Sequence, residues 1–133
     1  MLKSRVKTNT ILYWLPRLLA IFAIAFISSF ALDAFAPGLT LWQQLGGFLM
    51  HMLPSFLLII FLIIAWHKQF IGGILFILTG LISTPFIYLH NLNVNHFPPG
   101  QCLAIVSMLC LPFIVIGLLF LFTHRPKRKQ ANQ

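Results

Sequence analysis

Between Trp42 and Leu89 the chain reads WQQLGGFLMHMLPSFLLIIFLIIAW, then HKQ, then FIGGILFILTGLISTPFIYL. Two apolar runs of 25 and 20 residues, separated by three polar ones, constrain the fold strongly. A helix rises about 1.5 Å per residue, so about 20 residues cross a hydrocarbon layer about 30 Å thick. Each run is long enough to cross once, and Lys68 marks the return between them. An unpaired strand edge finds no hydrogen-bond partner in lipid, so both runs must be helices.

The same pattern recurs on either side. It gives four expected spans, at residues 13–35, 42–66, 70–89 and 102–122. The breaks are punctuated by Ala36-Pro37-Gly38, by His67-Lys68-Gln69, and by the polar run His90 to His96 closed by Pro98-Pro99-Gly100. The chain thus divides into a basic flank (1–12), a transmembrane domain (13–123) and a basic tail (124–133). The expected fold class is all-α, a polytopic membrane protein built as a four-transmembrane-helix bundle. Composition agrees, with 59% hydrophobic and 8% charged residues in 133. A soluble domain carries about 25% charged residues, so a soluble globule is excluded. The first span ends on Ala34-Phe35-Ala36, which is like a signal-peptide cleavage site. Its length and the following Pro37 argue that the span is retained.

Nine Lys and Arg face a single acid, Asp33, for a net charge of +8. The basic residues cluster before the first span, at Lys68 and after the last span. The two remaining connections carry none. By the positive-inside rule both termini and the Lys68 turn lie on the cytoplasmic side of the cell membrane. Charges arranged this way are topology signals rather than a nucleic-acid surface, and no nucleic-acid partner is expected. In the tail, Arg125, Lys127, Arg128 and Lys129 read first as such a signal, and second as a contact for anionic lipid headgroups.

Helices in lipid associate through close approach at small residues and through interhelical hydrogen bonds. Gly47, His51 and Ser55 recur every four residues on the second span. Gly73 and Gly80 stand on the third and Gly117 on the fourth. These glycines and Ser55 are the candidate packing positions, within one chain or between copies in a homo-oligomer. Pro54, Pro85 and Pro112 each leave the carbonyl four residues earlier without its helical donor.

Ionisable groups inside a membrane are the first functional candidates. Arg17 lies about one turn inside the first span and is expected to snorkel to the headgroups. Asp33 and His51 are expected to approach one another, as an interhelical clamp or as a proton site. His90, His96 and Cys102 match no zinc spacing, so no metal is expected. Cys102 and Cys110 lie about 12 Å apart along a helix, too far for a disulfide. A single carboxylate rules out paired-carboxylate catalysis, and no phosphate loop or HExxH motif is present. Neither enzyme activity nor a cofactor is expected.

The succession Leu32-Asp33-Ala34-Phe35, His51-Met52-Leu53-Pro54-Ser55-Phe56, Ala65-Trp66 and Gly72-Gly73-Ile74-Leu75-Phe76-Ile77 resembles small bacterial four-helix membrane proteins catalogued as a domain of unknown function. The resemblance covers residues 16–122 and implies a location in the bacterial cytoplasmic membrane, without an activity. Similar proteins often carry a Glu shortly before the Gly pair, where this chain has Gln69. The leading expectation is a structural or accessory membrane component acting through helix contacts. The alternative is a small proton-linked transporter or channel subunit that uses Asp33 and His51.

Overall fold

The computed structural model describes residues 2–124, with side chains from Thr10 onward. It contains four long helices: α1 (Leu2–Ser29), α2 (Leu41–His67), α3 (Gln69–Asn93) and α4 (Pro99–Thr123). Each is long and apolar enough to cross a bilayer. The protein is a multi-pass membrane protein of the all-α class.

The helix ends differ from the sequence expectation where polar residues flank a span. α1 begins at Leu2, well before Tyr13, because no Gly or Pro between Leu2 and Leu15 stops it. It passes through Pro16 and tightens at its far end into a 3-10 turn, Phe30–Ala34. That turn buries Ala31 and Ala34 and leaves Asp33 exposed. α2 starts in a capping box at Thr40. The Thr40 hydroxyl accepts from the Gln43 N–H at 3.4 Å, and the Gln43 side chain accepts from the Thr40 N–H at 2.9 Å. Two otherwise orphaned donors are satisfied reciprocally. α3 runs past Leu89 into the polar stretch, where the Asn91 side chain donates to the Ile87 carbonyl at 2.9 Å. α4 opens on Pro99, where the missing N–H removes no intrahelical bond.

Packing is uneven. α3 and α4 make the most intimate pair. A Cβ built on Gly117 would stand 2.5 Å from the Gly73 carbonyl oxygen and 2.9 Å from the Ile77 nitrogen. Gly80 faces the Cys110 carbonyl in the same way, at 3.0 Å. Beside this seam Phe76, fully buried, is stacked with Phe113 and Phe120. Ala20, Ala23 and Ile24 of α1 and Leu58, Leu62 and Ala65 of α2 complete the core.

α2 and α3 are joined by Lys68 alone. The joint is tight because Gly72 lies against the backbone and side chain of Ala65, with no room for a Cβ. Beyond it the two helices part. The outward surface is apolar, with Trp42 82% and Phe122 83% exposed. Only lipid or another apolar partner covers so much of it.

Candidate functional site

Arg17 is where the structure departs most from the sequence expectation. Its side chain is 1% exposed rather than snorkelled outward. Tyr13 lies one helical turn earlier on the same face, and the guanidinium carbon sits 3.6 Å from the centre of its ring. Trp66 of α2 and Phe120 of α4 flank it at 5.9 and 5.7 Å. Nη1 donates to the Tyr13 carbonyl. Gln69, the first residue of α3, completes the cage in the amide orientation that satisfies both its neighbours. Its oxygen accepts from Arg17 Nη2 at 2.9 Å and its nitrogen donates to the Thr123 carbonyl at 3.3 Å.

All four helices therefore meet around one cation. Among the described residues no carboxylate neutralises it, because the single acidic side chain, Asp33, stands near the far end of α1. Ring quadrupoles and the last turns of α2 and α4, where the helix dipoles are negative, supply the compensation. Nε is buried without a hydrogen-bond partner. The arrangement can hold the ends of α2, α3 and α4 in register against the middle of α1. The sequence reading of Arg17 as snorkelling missed this cage; Tyr13 at i and Arg17 at i+4 share a helix face and are the one signal that could have shown it.

Asp33 and His51 are not brought together. Both are exposed, and no hydrogen bond or ion pair joins them among the described residues. His51 Nδ1 instead meets the Gly47 carbonyl of its own helix at 2.8 Å. The physical cause is the 3-10 turn, which turns Ala34 rather than Asp33 toward α2. A Cβ on Gly47 would lie 3.3 Å from the Ala34 methyl.

The link between α1 and α2 is made by hydroxyls. Ser28 Oγ gives its own proton to the Ile24 carbonyl at 2.8 Å and accepts from Ser55 Oγ at 2.9 Å, and Ser55 is completely buried. Interhelical hydrogen bonds of this kind are worth about 0.6–1.7 kcal/mol in a membrane. Ser55→Ala is expected to cost about 1 kcal/mol in detergent unfolding, and Ser28→Ala with Ser55→Ala less than the two separate losses combined. Strict additivity would show that the bond contributes nothing.

Where α2 and α3 part, they flank a cleft of about 770 Å³, closed behind by Ile27 and Phe30 and by Leu109, Cys110 and Phe113 of α4, that contains His51, Thr79 and Ser83 among apolar residues. A second cleft of about 490 Å³ lies between α1 and α4 and is apolar throughout its lining. His90, His96 and Cys102 do not converge, and among the described residues no three of His, Cys, Asp and Glu form a group. Cys102 and Cys110 are buried free thiols. Arg125, Lys127, Arg128 and Lys129 lie outside the described residues.

Compared with known proteins, residues 3–132 match the family model described as Domain of unknown function (DUF7670). No curated protein and no solved structure matches the chain.

Proposed function

We propose, for a chain that belongs to the DUF7670 family of unknown function, a non-catalytic role in the cytoplasmic membrane exercised through helix contacts. Both termini and the Lys68 turn face the cytoplasm in this reading, as the basic residues direct. The tail residues Arg125, Lys127, Arg128 and Lys129 then sit where anionic headgroups attract them.

The observation that carries the reading is the free edge of α2. Ser55, Gly73, Gly80 and Gly117 are occupied with the chain's own helices, whereas Gly46 has nothing within 4 Å of where a Cβ would stand. A membrane helix that turns a glycine outward offers close backbone approach to another helix. The partner to test first is a second copy.

Copies labelled separately with donor and acceptor dyes, reconstituted together in vesicles, are expected to transfer energy above the level set by random proximity. Gly46→Ile is expected to bring transfer down to that level while leaving the unfolding midpoint unchanged, because the added side chain meets open space. Random-level transfer in the wild-type protein, or undiminished transfer in the variant, rejects self-association through this edge.

A further inference from the structure

We infer that the cleft between α2 and α3 is a binding site for an uncharged long-chain molecule whose head is a hydroxyl group. Its volume of about 770 Å³ falls within the roughly 300–1,000 Å³ of small-ligand sites. A membrane helix is about 10–12 Å wide and 30 Å long and does not fit inside it. An acyl or isoprenoid chain does, lying against Leu57, Leu58 and Phe86.

The head is specified by the few polar groups in the lining. No Asp, Glu, Lys or Arg is among them, so neither a phosphate nor an ammonium finds a counter-charge. His51 Nδ1 faces the Gly47 carbonyl, which can only accept, so Nδ1 carries the proton. In the neutral ring Nε2 then presents a lone pair, the acceptor that a hydroxyl donor requires. Met50 also borders the cleft, and its carbonyl receives no helical N–H because Pro54 has none.

On the facing helix the Thr79 hydroxyl is spent on the Leu75 carbonyl at 2.8 Å. The half-buried Ser83 hydroxyl has no such bond and is free to donate or accept. The lining is therefore biased toward acceptors. An alcohol or phenol suits it, donating to Nε2 and accepting from Ser83. An ether or ester of the same length brings no donor.

The test uses the full chain in phosphatidylcholine nanodiscs and a hexadecanol probe carrying a diazirine and an alkyne. Photolabelling is expected on the cleft lining, within residues 50–58 of α2 and 79–87 of α3 and at Ile27, Phe30, Leu109, Cys110 and Phe113, which close its back. Unlabelled hexadecanol is expected to compete about five-fold better than its methyl ether, the effect of one intramembrane hydrogen bond. A long-chain phenol run in parallel separates the two sources of the hydroxyl, the stronger competitor identifying the natural class.

His51→Phe and Ser83→Ala are each expected to reduce labelling about five-fold, with helicity and thermal unfolding retained. Equal competition by alcohol and ether would show that ordinary lipid fills the cleft and would overturn the assignment. So would labelling outside that lining, or unchanged labelling in both folded variants.

Discussion

Arg17→Ala is expected to lower the stability of the folded bundle by about 3 kcal/mol, measured by unfolding from mild detergent into sodium dodecyl sulfate. Three losses contribute. The guanidinium leaves the Tyr13 ring, an interaction worth about 0.5–2 kcal/mol. Gln69 loses its donor and keeps a desolvated oxygen, at about 1–3 kcal/mol. The vacated space between Tyr13, Trp66 and Phe120 is a cavity. Relief from burying a cation offsets part of this, as it does when buried charges are exchanged for apolar residues.

Two further variants separate the cage from snorkelling. Arg17→Met keeps the volume without the charge and is expected to retain more stability than Arg17→Ala. Arg17→Lys keeps the charge but not the planar fork, so it cannot serve the Tyr13 carbonyl and Gln69 together. It is expected to lose about 1–2 kcal/mol, the worth of a charge-assisted hydrogen bond. A snorkelled arginine would tolerate lysine fully. Stability within about 0.5 kcal/mol of wild type in both Arg17→Ala and Arg17→Lys, the range of ordinary surface substitutions, would show that the cage does not hold the helices together.

The second large effect is expected at the seam of α3 and α4. Gly117→Ala places a methyl 2.5 Å from the Gly73 carbonyl and 2.9 Å from the Ile77 nitrogen. Both neighbours are backbone, so neither can rotate away and the helices must separate. Overpacking a tight contact costs about 1–3 kcal/mol, and the upper part of that range is expected here. Gly73→Ala strikes the same seam from the other side, 2.8 Å from the Gly117 carbonyl. The double variant is expected to cost less than the two single losses combined, because helices already separated accept the second methyl more easily. Gly46→Ala is the control, expected to be neutral or slightly stabilising, since a helical glycine with free space gains about 0.5–1 kcal/mol from alanine. Equal behaviour at Gly46 and Gly117 would contradict the seam.

The four spans were legible because lipid imposes a length and forbids polar interruptions, and both constraints act locally along the chain. The helix ends were less so. Leu2 to Leu12 and His90 to Asn93 are polar enough to read as flanks, yet a helix already formed in the span extends into polar residues at little cost, one hydrogen bond per residue added. Arg17 was misplaced for a related reason. Its depth was measured from the apolar boundary at Tyr13, whereas its burial is decided by Trp66, Gln69 and Phe120 on three other helices. Asp33 and His51 have the chemistry of a pair, but a five-residue 3-10 turn rotates Asp33 out. Rotation about a helix axis is not written in residue spacing. Gly73 and Gly117 were visible as small residues, while their apposition depends on the register between two helices.

The one-residue joint at Lys68 has a mechanical consequence. It fixes α2 and α3 together at one end while beyond it they flank the cleft, so this pair of helices opens as a wedge. A wedge displaces different areas from the two leaflets. The width of the cleft is thereby tied to the lateral pressure of the leaflet into which it opens. Lipids that crowd the acyl region there press α2 toward α3, and lipids that thin it let them spread.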